Sequence, residues 1–284
     1  MRFLKGHGTE NDFVLLPDPG GTLELSPELV RAVCHRRAGL GADGVIRVAR
    51  ENDQHGRWFM DYWNSDGSLS EMCGNGIRVL ARYLADHEGV PTGRPLEVGT
   101  RDGVKTLTFE PGGRITVDMG TPRLLGETKV GVGDRTWPAT RVSMGNPHAV
   151  VFVDDLADAG TLAVEPTYDP DDFPEGVNVE FVVRRGERHV AMRVHERGSG
   201  ETRSCGTGAC AVMVAAAAAH FQPARRALSD GSTSVLGRVD AVTYRVDVPG
   251  GRLDVTWTAD DRVLLTGPAV IVAEGDLRIG TEED

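Results

Sequence analysis

Two features that mark other classes of protein are missing from this sequence of 284 residues. No apolar run approaches the roughly 20 residues that a helix needs to span a bilayer, so a membrane protein is not expected. The N-terminus, MRFLKGHGTENDFVLL, lacks the apolar stretch and the small-residue cleavage site of a secretory signal. With 40% hydrophobic and 26% charged residues, the chain has the composition of a globular protein, and we expect a cytoplasmic location.

Acidic residues outnumber basic ones by 42 to 31, and cysteine is scarce. The net charge of -11 argues against general nucleic-acid binding, which needs a basic surface, and favours a small-molecule partner. The four cysteines form no CxxC pair, and Cys205 and Cys210 have no histidines nearby at zinc spacing. We therefore expect reduced thiols, with neither a disulfide framework nor a structural metal.

The chain contains an internal repeat. Cys73 in EMCGNG is echoed by Cys205 in RSCGTG, and PGGRITV from Pro111 returns as PGGRLDV from Pro249. A fainter pair, GTENDFVLL and MGNPHAVVFV, places an asparagine in a polar loop just before a β-branched strand. Because three landmarks recur in the same order at nearly the same offset, the sequence predicts two copies of one domain.

Each copy is rich in short alternating or β-branched stretches, which predict strands. They include GVIRVA, RWFMDYW, KTLTFE, RITVDMG, AVVFVDD, NVEFVV, HVAMRVHE and RLDVTWT. Helices are predicted in SPELVRAVCHRR, with a Ser26 cap and Pro27 at its first position, in GIRVLARYLADHEG and in GACAVMVAAAAAHF. Since the last of these has no polar residue between Ala209 and Ala219, we expect it to be buried on all sides and wrapped by strands.

The predicted fold is α+β, with two similar domains that each consist of a strand-rich layer around one principal helix. The boundary is expected near DMGTPRLLGET, which gives domains at residues 1–119 and 120–266. The last predicted strand, AVIVAEG, follows the second PGGR unit and has no counterpart within the second copy. We expect residues 267–284 to complete the first domain, which would make that domain discontinuous.

Cys73 and Cys205 each stand just before a predicted helix and are followed by glycine. Unpaired N–H groups and the positive end of a helix dipole favour an anion there, so we expect a lowered thiol pKa and a place for a ligand carboxylate. If the two domains pack with a rough two-fold relation, one thiolate removes a proton from a carbon acid and the opposite thiol returns one. That arrangement interconverts mirror-image centres. Cys34 and Cys210, inside helices, are expected to be packing residues.

Other functions are compatible with such loops. The stretch GSGETRSCGTG could cradle a phosphate, but it lacks the Lys-Ser/Thr of a P-loop and the spacing of a dinucleotide fingerprint. A nucleophilic cysteine enzyme would need only one cysteine, with a histidine base. A catalytically inert anion-binding module, whose cysteines merely pack, is the remaining alternative. Cysteine reactivity separates it, because an inert buried thiol does not alkylate readily near neutral pH.

Taken together, the motifs resemble those of the cofactor-independent diaminopimelate epimerases. In order they are HGTENDF, GLGADG, NSDGS, MCGNGIR, MGNPHAV, GVNVEF, HERGSGETRSCGTGACA and LTGPA. The resemblance implies two similar domains related by a pseudo-two-fold axis, each a barrel-like layer of strands around a central helix. It also implies conversion of LL- to meso-diaminopimelate, for lysine and peptidoglycan synthesis, without pyridoxal phosphate or metal, and a homodimer.

The resemblance assigns roles by motif. Cys73 and Cys205 match the two acid–base thiols of the family. The residues that match substrate-binding positions are Asn11, Asn64, Gly74, Asn75, Asn146, Asn178, Glu196, Arg197, Gly206 and Thr207. A carboxylate suits the ammonium groups of the substrate, and a guanidinium suits a bidentate grip on a carboxylate. His148 also matches the family, while the asparagines have turn chemistry as an alternative explanation.

Two positions depart from the family pattern. Many members carry glutamine where this chain has Gly44, and an aromatic residue at the dimer contact where it has Ala273. One substrate contact and the dimer contact are therefore expected to differ here. A proline or hydroxyproline racemase is an alternative with a similar fold. Such relatives tend to have histidine at the position of Asn75 and need no clamp for a distal carboxylate, so Asn75 and Arg197 favour diaminopimelate.

Overall fold

The computed structural model describes residues 1–51, 56–220, 224–227, 233–236 and 240–278. The chain divides into two compact units. Domain 1 comprises residues 1–117 together with the segment that starts at residue 268, and domain 2 comprises residues 118–267. The end of the predicted closing segment, beyond residue 278, lies outside the described residues, as does Phe221 at the end of the third predicted helix.

Strands dominate both domains. In chain order they are β1 Arg2–Gly8, β2 Asn11–Pro17, β3 Gly44–Arg50, β4 Trp58–Asn64, β5 Leu96–Thr100, β6 Gly103–Phe109, β7 Ile115–Asp118, β8 Arg123–Val132, β9 Arg135–Ser143, β10 Pro147–Phe152, β11 Thr167–Tyr168, β12 Asn178–Gly186, β13 His189–Glu196, β14 Gly200–Thr202, β15 Ala224–Ala227, β16 Thr233–Leu236, β17 Val242–Val248, β18 Gly251–Trp257, β19 Val263–Gly267 and β20 Val270–Asp276. The helices are α1 Pro27–Cys34, α2 Gly74–His87 and α3 Gly206–His220, with a short 3₁₀ helix at Leu156–Ala159.

The two domains share one strand order. In domain 1 the neighbours run β20–β1–β2–β3–β4–β5–β6–β7, with β2/β3 and β4/β5 parallel and the other pairs antiparallel. In domain 2 they run β8–β9–β10–β12–β13–β17–β18–β19, and again the third and fifth pairs are the parallel ones. The prediction of two similar, strand-rich domains is therefore confirmed. The expectation that the last strand has no counterpart in the second copy was wrong. Strand β20 corresponds to β8, at the start of domain 2.

Helix α3 is the buried helix that its composition predicts. Every residue from Ala209 to Ala217 is buried, whereas Ala219, near the end of the helix, is exposed. Strands β9, β10, β12, β13, β17, β18 and β19 surround the helix. Helix α2 holds the equivalent place in domain 1, in contact with β1, β2, β3, β4 and β20.

Helix α1 begins as predicted and ends early. The Ser26 side chain caps it by accepting a hydrogen bond from the backbone N–H of Leu29. The helix stops at Cys34, because His35 is extended and its ring Nδ1 accepts the N–H groups of Arg37 and Ala38. Within the described ranges, no helix has the length and apolar character needed to cross a membrane.

We expect Met213→Ala to lower the free energy of unfolding by about 2–4 kcal/mol, because Met213 is fully buried in α3 and alanine leaves a cavity. Ala219→Gln, at the exposed end of the same helix, should change it by less than about 0.5 kcal/mol. Urea denaturation of both variants measures the difference. Equal stabilities would contradict the tight packing around α3.

Candidate active site

Each of the two predicted catalytic cysteines stands at the first turn of a buried helix. The backbone N–H of Gly76 donates to Cys73 Sγ at 3.5 Å, and that of Gly208 donates to Cys205 Sγ at 3.3 Å. A side chain that accepts from the third residue of a helix is the N-cap arrangement, here with sulfur in place of the usual oxygen. Both sulfur atoms are thereby held where the helix favours negative charge.

In domain 1 the thiol belongs to a cluster of amides. Asn11 Oδ1 accepts hydrogen bonds from Cys73 Sγ at 3.7 Å and from Asn75 Nδ2 at 3.1 Å. Asn11 Nδ2 donates to the carboxylate of Asp43 at 2.7 Å. Because Asp43 takes the amide N–H, the carbonyl oxygen of Asn11 is fixed towards the thiol.

A tight turn places Asn11 at this point. Thr9 and Glu10, which join β1 to β2, have φ angles of 51° and 61°. That region is favoured in two-residue hairpin turns but is costly for a β-branched side chain such as threonine. Asn11 then opens β2 opposite Gly8 and is itself buried.

A buried arginine supports the loop around Cys73. The side chain of Arg78 is fully buried in α2. It donates to the carbonyl of Gly74 at 3.0 Å, to Asn75 Oδ1 at 2.8 Å and, through Nε, to the carbonyl of Pro268 at 3.4 Å. Sequence reasoning missed both Arg78 and Asp43, although a charged residue one turn after Gly74, between the apolar residues Ile77 and Val79, is a signal that could have been followed.

Asn64, the last residue of β4, takes part in a turn. Its Nδ2 donates to Ser68 Oγ at 3.0 Å, and its backbone N–H donates to the Ser68 carbonyl at 2.9 Å. The turn chemistry that the sequence offered as an alternative is thus present. Glu196 ends the equivalent strand, β13, so the two residues hold the same place in the repeat.

The departure at position 44 has a steric reason. Gly44, on β3, pairs with Asn64, on β4. A Cβ atom at Gly44 would come within 2.5 Å of the Trp63 carbonyl and 2.6 Å of the Tyr62 ring. A longer side chain does not fit while Tyr62 occupies this space. The other departure, Ala273, is an exposed residue of β20.

In domain 2 a chain of hydrogen bonds ends at the thiol. Thr207 Oγ1 lies 3.5 Å from Cys205 Sγ and accepts from Asn146 Nδ2 at 3.2 Å. Asn146 Oδ1 is 3.0 Å from His148 Nε2, and His148 Nδ1 is 2.6 Å from Glu180 Oε1. Sequence reasoning missed Glu180, whose signal was a lone acidic residue in the apolar strand NVEFVV.

The remaining predicted residues of domain 2 are grouped around the end of β13. Asn178 Oδ1 accepts from the backbone N–H of Arg197 at 3.0 Å. The guanidinium of Arg197 is exposed and donates to the Glu175 carbonyl at 3.0 Å. Glu196 accepts a hydrogen bond from the hydroxyl of Thr202. The arrangement holds an exposed cation and a half-buried carboxylate next to each other in sequence.

The electrostatic environment of Cys205 differs from the prediction. Burial, followed by the carboxylates of Glu196 and Glu180, raises the pKa of the Cys205 thiol well above its usual value. Hydrogen bonds from Thr207 and Gly208 act in the opposite direction and do not compensate. The prediction of a lowered pKa was therefore wrong for this thiol, because the sulfur is shielded from water and lies near two acidic groups.

The other two cysteines are buried. Cys34 lies in the core between α1 and the sheet, and burial raises the pKa of its thiol to about 12. Cys210 is fully buried in α3. Among the residues that the structure describes, no three His, Cys, Asp or Glu side chains are grouped so that they could hold a metal ion.

Comparison with known proteins identifies the family. The sequence model for diaminopimelate epimerase matches residues 3–125 and 140–272. A diaminopimelate epimerase of Streptomyces coelicolor is 56% identical over 97% of this chain and 95% of its own length. One of Thermobifida fusca is 46% identical over 98% of each chain.

Solved structures with low sequence identity share the fold. A phenazine biosynthesis protein of the PhzF family from Bacillus anthracis has a TM-score of 0.70 at 17% identity, covering 98% of this chain and 99% of its own. A hydroxyproline epimerase from Agrobacterium vitis has a TM-score of 0.64 at 15% identity, covering 97% and 91%. Since the family model and the relatives extend over nearly the whole chain, this protein belongs to the diaminopimelate epimerase family.

Proposed function

We propose that the protein converts LL-2,6-diaminopimelate to meso-diaminopimelate by proton transfer between two cysteines at the α-carbon. The observation that carries this proposal is the pair of thiols, Cys73 and Cys205, each capping a buried helix at the equivalent point of the repeat. The names of the relatives supply the substrate.

In the proposed reaction one cysteine is a thiolate and the other a thiol. The thiolate takes the proton of the α-carbon, forming an S–H bond and leaving an electron pair on carbon. The second thiol then delivers its proton to the opposite face of that carbon and becomes the thiolate. The raised pKa of Cys205 means that this residue starts as the thiol in the substrate-free protein. The two cysteines end with exchanged protonation states, and proton exchange with solvent restores the starting state before the next turnover.

The polar residues around each thiol would hold the substrate. The backbone N–H groups of Gly74–Asn75 and Gly206–Thr207, at helix starts, suit the carboxylate of the reacting centre. Glu196 suits an ammonium group and the exposed guanidinium of Arg197 suits the distal carboxylate. The asparagines assigned to substrate are Asn11, Asn64, Asn146 and Asn178.

The remaining parts of the proposal concern the setting of the reaction. No cofactor is required, because thiol and thiolate supply both the base and the acid. The reaction would take place in the cytoplasm, for lysine and peptidoglycan synthesis, on a small-molecule substrate, with no nucleic-acid or membrane partner and with a homodimer as the expected assembly.

Incubation of the reduced, metal-free protein with LL-diaminopimelate in heavy water tests this function. We expect meso-diaminopimelate to form with deuterium at the α-carbon, since the proton delivered comes from a thiol that exchanges with solvent. Proline and hydroxyproline should show no such exchange. Absence of both product and deuterium would overturn the proposal, and exchange in proline instead would favour the racemase alternative.

Cys73→Ala and Cys205→Ala should each lower kcat by about 10³-fold or more, because each removes one of the two acid–base groups. Cys210→Ala is the matched control, since Cys210 lies in the same helix as Cys205 but is packed in the core. It should keep the turnover of the unmodified protein. Near-normal turnover in either of the first two variants would refute the two-thiol mechanism.

A further inference from the structure

The two domains differ in what lies beneath the first turn of their central helices. In domain 1 this space is apolar: a Cβ atom at Gly76 would lie 3.1 Å from Ile46 and 3.4 Å from Phe13. By strand register the equivalent residues of domain 2 are Glu180 and His148. A Cβ atom at Gly208 would lie only 2.7 Å from Glu180 Oε1. An ionisable pair thus replaces an apolar contact.

The fold does not require this pair. His148 and Glu180 are both fully buried, with 2.6 Å between Nδ1 and Oε1. Replacing a buried ionic pair with well-packed apolar residues is often neutral or stabilising, because the cost of removing the charges from water is avoided. Domain 1 shows that the same strand order packs with phenylalanine and isoleucine in these places.

Hydrogen-bond directions determine how many protons the pair holds. Asn146 Nδ2 donates to Thr207, so Asn146 Oδ1 is an acceptor and His148 Nε2 must carry a hydrogen. The short contact between Nδ1 and Oε1 then needs one more proton, either on the imidazole or on the carboxyl group. In both cases the His148–Glu180 pair is neutral overall, which limits the repulsion that Glu180 exerts on a thiolate at Cys205.

The same directions extend to the thiol. Because Thr207 Oγ1 accepts from Asn146, its own hydrogen is available for Cys205 Sγ at 3.5 Å. Together with the N–H of Gly208, this hydroxyl gives the sulfur two donors. They favour the thiolate, whereas burial and the carboxylates of Glu196 and Glu180 oppose it.

We propose that Glu180 is a positioning residue for Cys205: by sharing one proton with His148 it fixes the chain through Asn146 and Thr207, so that the Thr207 hydroxyl donates to the sulfur. Glu180 acts through His148 and has no role in contacting substrate. This inference rests on the proposed two-thiol reaction.

Two near-isosteric variants test the positioning role. Glu180→Gln keeps a hydrogen-bond partner for His148 Nδ1, because its amide N–H can donate there. Glu180→Leu removes the partner while keeping the volume. We expect kcat to fall on the order of 100-fold in the leucine variant, with little change in KM, and the glutamine variant to retain at least tenfold more turnover than the leucine variant. Equal turnover of the two variants would overturn the proposal.

The double variant His148→Phe/Glu180→Ile gives domain 2 the apolar pair of domain 1. We expect a melting temperature equal to or above that of the unmodified protein and a loss of turnover as large as in Glu180→Leu. A stable, fully active double variant would overturn the positioning role. If the double variant does not fold, the comparison of Glu180→Gln with Glu180→Leu still tests the positioning role.

The protonation of Cys205 provides a measurement that needs no substrate. Thiolate absorbance, taken as the difference from Cys205→Ser, should appear at higher pH in Glu180→Leu than in Glu180→Gln, because the thiolate has lost a donor. If the thiolate appears at the same pH in both variants while the unmodified protein is active on diaminopimelate, only the positioning role is overturned. A shifted titration in a protein with no such activity would instead refute the proposed function.

A control for removing any histidine–carboxylate pair is available in the same domain. His189 and Asp247 form a half-buried pair with 2.6 Å between Nε2 and Oδ2, on strands β13 and β17. His189→Gln/Asp247→Asn should leave both turnover and the Cys205 titration as they are. A loss of turnover there equal to that of Glu180→Leu would contradict a specific role for Glu180.

Discussion

The capping of a buried helix by a cysteine side chain is the constraint on which the rest of this structure depends. Cys73 Sγ accepts a hydrogen bond from the N–H of Gly76, and Cys205 Sγ accepts one from the N–H of Gly208. The first turn of each helix therefore fixes the position of its sulfur atom. A Cβ atom would lie 2.7 Å from Glu180 Oε1 at Gly208 and 3.1 Å from Ile46 at Gly76, so glycine lets each helix start close to the sheet. The strands that enclose each helix therefore also determine where each thiol lies.

The repeat keeps this geometry while changing the charge around it. One turn into α2, the buried Arg78 braces the loop of Cys73, and the equivalent residue of α3 is the apolar Cys210. Asn64, at the end of β4 in domain 1, corresponds to Glu196, at the end of β13 in domain 2. The charged groups around the two thiols therefore differ, although each sulfur has the same backbone setting.

Much of this arrangement could be predicted from the sequence, and its failures have a common cause. The repeat, the helix starts and the burial of α3 follow from local pattern, because glycine, caps and alanine runs act on their own neighbours. Asp43 and Glu180 were missed because their partners, Asn11 and His148, are 32 residues away and meet them only through strand pairing. The pKa of Cys205 was predicted in the wrong direction because burial depends on the whole domain.

The return of β20 to domain 1 sets an order of events during synthesis. Domain 2 is continuous, so all of its strands are available before residues 270–276 leave the ribosome. Domain 1 reaches its full sheet only when β20 pairs with β1, and Arg78 finds the Pro268 carbonyl at the same late stage. The usual order, in which the N-terminal domain is completed first, is therefore reversed in this chain. Until residues 270–276 have been synthesised, β1 is an open edge that another nascent chain could occupy.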